Sequence, residues 1–116
     1  MKALALWLLG AVAVLGGCAQ GRPMNLTEFR GTCWSVQSPR CQRGDICTAY
    51  RDQLDQPFEN VDACVNACRE KARLLGNEYM FSSCQGAAVG VASQCESYCR
   101  RNYGPNGALF PEAEIR

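Results

Sequence analysis

Cysteine is the residue type abundant enough in this chain to do chemistry by its spacing, with nine copies in 116 residues. Two stretches repeat one step: Cys64-Val65-Asn66-Ala67-Cys68 and Cys95-Glu96-Ser97-Tyr98-Cys99. Thiols so placed could bind metal, exchange disulfides or staple the fold. Zinc knuckles and thioredoxin-like redox centres draw on Cys-x-x-Cys, which does not occur. Histidine is absent as well, which removes the commonest general base, the usual nitrogen ligand for zinc and the Cys-x-x-Cys-His haem attachment pattern. Stapling is the chemistry that remains. On a helix, residues i and i+4 share a face but their Cα to Cβ bonds run nearly parallel, a poor geometry for bridging each other. Each pair should therefore bridge across to the other. For antiparallel helices the pairing is reciprocal, Cys64 with Cys99 and Cys68 with Cys95.

Other chemistry is weakly signalled. Gly86, Gly90, Gly104 and Gly107 form no Walker or dinucleotide pattern. Asp52 with Asp55 and Glu112 with Glu114 read as solvated surface charge. Arg69 with Arg73 and Arg100 with Arg101 could form a small cationic patch, but Glu70 with Arg73 and Glu96 with Arg100 read as ordinary helical ion pairs worth tenths of a kcal/mol. No catalytic residue, metal site or cofactor is expected. Trp34, Tyr50, Phe58, Tyr79, Phe81 and Phe110 are expected in or over the core. An exposed cluster of Tyr79, Met80 and Phe81 between the two cysteine pairs would be the best candidate for binding a partner.

The elements that must position the cysteines follow from periodicity. Val61, Cys64, Val65, Cys68, Ala72 and Leu75 make one helical stripe, with Asp55 or Asn60 to cap it and Gly76 to end it. Ala88, Val91, Cys95 and Cys99 make a second, stopped by Gly104-Pro105. Residues 76 to 87 then close a hairpin. A short third helix is expected from Asp45 through Tyr50 to Leu54, ended by Pro57. Cys33, Cys41, Cys47 and Cys84 allow three connectivities, and Cys47 with Cys84 plus Cys33 with Cys41 is the favoured one. The fold class expected is all-α, a small disulfide-rich domain over 33–104 built on an antiparallel helical hairpin, with a loop-rich N-terminal part. Residues 105–116 should be an extended or frayed tail.

The N-terminus carries a different signal. Lys2 precedes the apolar run Ala3-Leu4-Ala5-Leu6-Trp7-Leu8-Leu9-Gly10-Ala11-Val12-Ala13-Val14, the layout of a secretory signal peptide over 1–17. The run is short of the roughly 20 apolar residues that cross a bilayer. Leu15-Gly16-Gly17-Cys18 resembles the lipobox of bacterial lipoproteins. That resemblance implies diacylglyceryl attachment at the Cys18 thiol, cleavage before it, acylation of the new amine, and an anchor of at least two chains, each CH₂ contributing about 0.8 kcal/mol. Ala19, where inner-membrane lipoproteins often have Asp, implies the outer membrane, facing the periplasm. Setting Cys18 aside leaves eight cysteines, an even number suited to an oxidising compartment. Residues 18–32, with Gly21, Pro23 and Gly31, are expected to form a lipidated tether.

The twin stripes are similar to the paired Cys-x₃-Cys helical hairpins of small intermembrane-space chaperones. Those use a shorter connection, so the resemblance implies the architecture and not chaperone activity. Without Lys2 the chain has eleven basic and eleven acidic residues, which lacks the cationic stripe of a nucleic-acid binder. The functional expectation is a non-enzymatic envelope lipoprotein with a structural or interaction role toward an envelope protein. A stapled inhibitor or ligand binder is the alternative, and a thiol-disulfide redox protein comes third.

Overall fold

The computed structural model describes residues 22–35, 41 and 44–116. Among these residues six helices and one short hairpin follow in order: α1 Leu26–Ser35, α2 Gly44–Leu54, α3 Val61–Glu78, α4 Gln85–Gly90, α5 Ala92–Asn102, β1 Tyr103–Gly104, β2 Gly107–Ala108 and α6 Glu112–Ile115. The fold is all-α and disulfide-rich. Its frame is the antiparallel pair of α3 with α5, extended by α4, and α1 and α2 form a second layer against it.

Each element has a local cause. Asn60 caps α3 by accepting the Ala63 amide at 2.9 Å, which fills one orphan donor of the first turn. Gly76 does not end that helix. The chain stays helical to Glu78, and Val89 packs onto Gly76, where an added Cβ would come 3.2 Å from its Cγ2. The second stripe is divided after Gly90: α4 stops there, and the Val91 carbonyl restarts the ladder by accepting from both Gln94 and Cys95 at 3.0 Å. Glycine is a poor interior helix residue, and here its weakness sets the boundary.

Two expected irregular segments are ordered. The tether expected over 18–32 is corrected for 22–32, since α1 begins at Leu26 and buries Leu26, Phe29 and Cys33. Asn25 caps it through the Glu28 amide at 2.8 Å. The Phe29 ring meets Tyr98 of α5 edge-on at 6.2 Å, so α1 belongs to the core. The chain then crosses a buried clamp: Asn102 accepts from the Met24 amide at 2.9 Å and donates to the Met24 carbonyl at 2.7 Å. The tail beyond 105 likewise folds back. Tyr103 pairs with Ala108, Gly107 takes a positive φ of 134° that suits only glycine, and Ile115 is buried with its carbonyl bound by the Tyr98 hydroxyl at 3.1 Å.

Candidate functional site

The four bridges define what the domain can present. Cys64 bonds Cys99 and Cys68 bonds Cys95, with Cα separations of 5.6 and 5.7 Å, in the reciprocal order that the two stripes require. These bridges lie side by side, Cys68 Sγ being 3.5 Å from Cys99 Sγ, and all four residues are fully buried. The other four cysteines pair differently from the favoured scheme of Cys33 with Cys41 and Cys47 with Cys84. Cys33 bonds Cys47 and Cys41 bonds Cys84. The reason is α1. Once residues 26–35 are helical, Cys33 lies on the buried face of α1 opposite Cys47 in the first turns of α2, so Cys47 is taken and Cys84 is left for Cys41. Cys18 lies outside the described residues.

The second pair of bridges, with one hydrogen bond, builds the turn between α3 and α4. Tyr79 caps α3 through its amide on Leu75 O at 2.9 Å, and its hydroxyl donates to Asp45 of α2 at 2.7 Å. Cys84, at the far side of the turn, is tied to Cys41. Ser82 accepts the Cys84 amide on its Oγ at 3.0 Å and donates its own amide to Tyr79 O at 3.0 Å. Between these fixed points Phe81 adopts φ 69°, the left-handed region, and its side chain is 97% exposed. A bulky residue rarely accepts that backbone, which costs roughly 1–2 kcal/mol. Met80 is half-exposed beside it.

The expected cluster of Tyr79, Met80 and Phe81 is therefore divided. Tyr79 is buried, because its ring is needed to reach Asp45, and only Met80 and Phe81 face solvent. Trp34, expected in or over the core, is 41% exposed near the end of α1, next to the Cys33 to Cys47 bridge. Tyr50 is a core residue as expected, Phe58 and Phe110 pack on the core's edge, and Tyr98, with no expectation from the sequence, is also buried in the core. The sequence carries a further signal at the turn: from Tyr79 to Cys95 no residue is charged. The turn and all of α4 thus form a neutral surface whose exposed apolar side chains are Met80, Phe81 and Val89.

Elsewhere the polar groups are occupied with one another. Arg69 bonds Glu96 across the two long helices at 2.9 Å, Arg73 pairs with Glu70, Arg100 lies 3.9 Å from Glu96, and Arg101 donates twice to the Arg22 carbonyl. Asp52 lies 3.4 Å from Arg51 and Asp55 3.5 Å from Arg116. Burial pushes the phenols of Tyr50 and Tyr98 well above the usual tyrosine range, and both hydroxyls donate to backbone carbonyls, Tyr50 to that of Ala88. Among the described residues no three His, Cys, Asp or Glu side chains are grouped so as to hold a metal ion, and no helix is long and apolar enough to cross a membrane. A shallow groove between Leu54, Tyr98, Tyr103 and Ile115 has no room even for one water.

No protein-family model, curated protein or solved structure matches this chain.

Proposed function

We propose that this chain is an envelope lipoprotein, acylated at Cys18 and held in the outer membrane facing the periplasm, whose stapled domain is a protein-interaction module. The observation that carries the interaction role is the turn at Met80 and Phe81. An aromatic side chain is held almost wholly in water on a strained backbone, and the surrounding groups are anchored by a bridge and a buried hydroxyl. Strain of this kind persists where neighbouring structure over-determines it, and it clusters at functional positions. Exposed aromatics in a neutral setting are also the residues that dominate protein interfaces. Burial of all eight bridged cysteines supports a structural use of the disulfides, because thiol exchange needs a sulfur that an incoming thiolate can reach.

Two variants test the proposal. Cys18→Ser should abolish lipid labelling and free the protein from membranes, and unchanged retention would mean that the leader itself is the anchor. Phe81→Gly removes the ring and relieves the backbone, so its melting temperature should equal or exceed the wild-type value. In pull-downs from envelope membranes it should lose the partner that the intact lipidated protein retains. Equal recovery by both proteins would remove the turn from the function.

A further inference from the structure

The position at which the chain enters the domain fixes which end would face the membrane. Four steps of the chain lead from Cys18 to Arg22, a reach of at most about 14 Å at full extension. Arg22 is not loose: Arg101, in the last turn of α5, donates to its carbonyl at 2.9 and 3.1 Å, and two residues later Met24 is clamped on both backbone groups by buried Asn102. Directly beyond Asn102 come β1, the turn at Pro105 and Asn106, and β2. Leu109, whose amide bonds the Asn102 carbonyl at 2.8 Å, lies over Gly104 with 57% of its surface exposed. The interaction turn lies at the opposite end, since α4 and α5 run from Gln85 to Arg101, about 24 Å of helix.

We infer that the end formed by Arg22, Arg101 and the Pro105 to Leu109 hairpin rests on the bilayer that holds the acyl chains of Cys18, so that Met80 and Phe81 point away from the membrane. This orientation rests on the lipoprotein reading above. The occupant follows from chain length: an anchor at most about 14 Å from Arg22 leaves no room for another macromolecule between this end and the headgroup layer. Charges at this end are mixed. Glu28 lies 3.9 Å from Arg22, and the backbone of Glu59 borders Gly107. The seat therefore relies on the anchor and Leu109, and it needs no anionic lipid.

Trp34 is the tryptophan that remains once the leader with Trp7 is removed, so emission reports position directly. The full chain is expressed in a diderm bacterium, and the mature lipidated protein is reconstituted into phosphatidylcholine vesicles with and without brominated acyl chains. Flotation with the vesicles tests the anchor, and quenching tests the orientation. Wild-type Trp34 should float and keep its emission. In a Trp34→Phe background, Leu109→Trp or Ala108→Trp should lose emission to the brominated lipid, while Phe81→Trp should not. Adding phosphatidylserine should leave this pattern unchanged. Failure to float would overturn the lipoprotein reading and the orientation with it. Flotation with quenching at position 81, with none at 108 and 109, or only with phosphatidylserine present, would overturn the orientation and leave the anchor standing.

Discussion

Asn102 and Phe81 show how single residues set the limits of this small domain. Asn102 is the one fully buried polar side chain among the described residues, and both ends of its amide are used on Met24. It replaces the water that the entering backbone would otherwise need. Asn102→Ala should therefore cost about 2–3 kcal/mol, because a buried amide and carbonyl lose their partner together. Urea unfolding checks the magnitude. Hydrogen exchange checks the mechanism, since the Met24 amide should lose protection while Cys68 and Cys95 keep theirs. Phe81 has the reverse balance, as its ring is solvated and its backbone is strained. The residue is 97% exposed, which is why we propose an external contact for it.

The helices are short for independent stability, and α1, α2 and α5 have ten or eleven residues each. Isolated helices of this length are marginal in water. The bridges and the T-shaped contacts of Phe29 with Tyr98 and Phe58 with Tyr103 hold them together. In the chain-entropy account, closing the 27-residue separation between Cys68 and Cys95 contributes roughly 3 to 4 kcal/mol. The double change Cys68→Ala with Cys95→Ala should lower unfolding stability by about that amount with the circular dichroism of the helices retained. Non-reducing peptide mapping of the wild type, with cuts inside each close pair, should yield Cys33 with Cys47, Cys41 with Cys84, Cys64 with Cys99 and Cys68 with Cys95. A Cys64 to Cys68 peptide would contradict the hairpin.

At the scale of the whole molecule, Tyr50 and Tyr98 couple the two layers to pH. Each is buried, bonds a carbonyl on another element, and has its pKa raised first of all by burial. Below the ordinary tyrosine value of about 10 both native and unfolded states keep the proton, and the stabilisation is complete. Above it the unfolded chain ionises while the native phenols stay neutral, so stability falls as pH rises toward the native values. Urea unfolding from about pH 8 to pH 11 should be flat until near pH 10 and then decline, with protons released on unfolding by the three phenols that burial raises, Tyr50, Tyr98 and Tyr103. Tyr98→Phe should lower that release by up to one proton. A thiol assay on the same samples confirms that the bridges are intact. A decline of the same slope in Tyr98→Phe would assign the alkaline loss to other groups.

The sequence by itself determined the hairpin and its two bridges, because the cysteines lie within apolar stripes whose 3.6-residue period leaves them one face and one partner. It also determined a short helix from Asp45 through Tyr50 to Leu54 ahead of Pro57, which in the structure starts at Gly44 and so takes Asp45 into its first turn. What it did not determine was α1, whose buried face shows only three points, Leu26, Phe29 and Cys33, too few to stand out against Gly31. That helix becomes stable through Tyr98, Asn102 and Cys47, all distant in sequence, and its formation decides the remaining two disulfides. The folded tail has the same cause, since Ile115 gains a buried site only after Tyr98 is in place. In the candidate site, the sequence offered Met80 and Phe81 for partner binding only on condition of exposure and otherwise expected Phe81 in or over the core, an expectation that the solvent-facing turn corrects. The burial of Tyr79 was not settled by the sequence, because its partner Asp45 is 34 residues away and comes within reach only when α2 packs against α3. Local period and spacing are properties of neighbours along the chain, whereas the choice among partners depends on which surfaces the packed helices bring together.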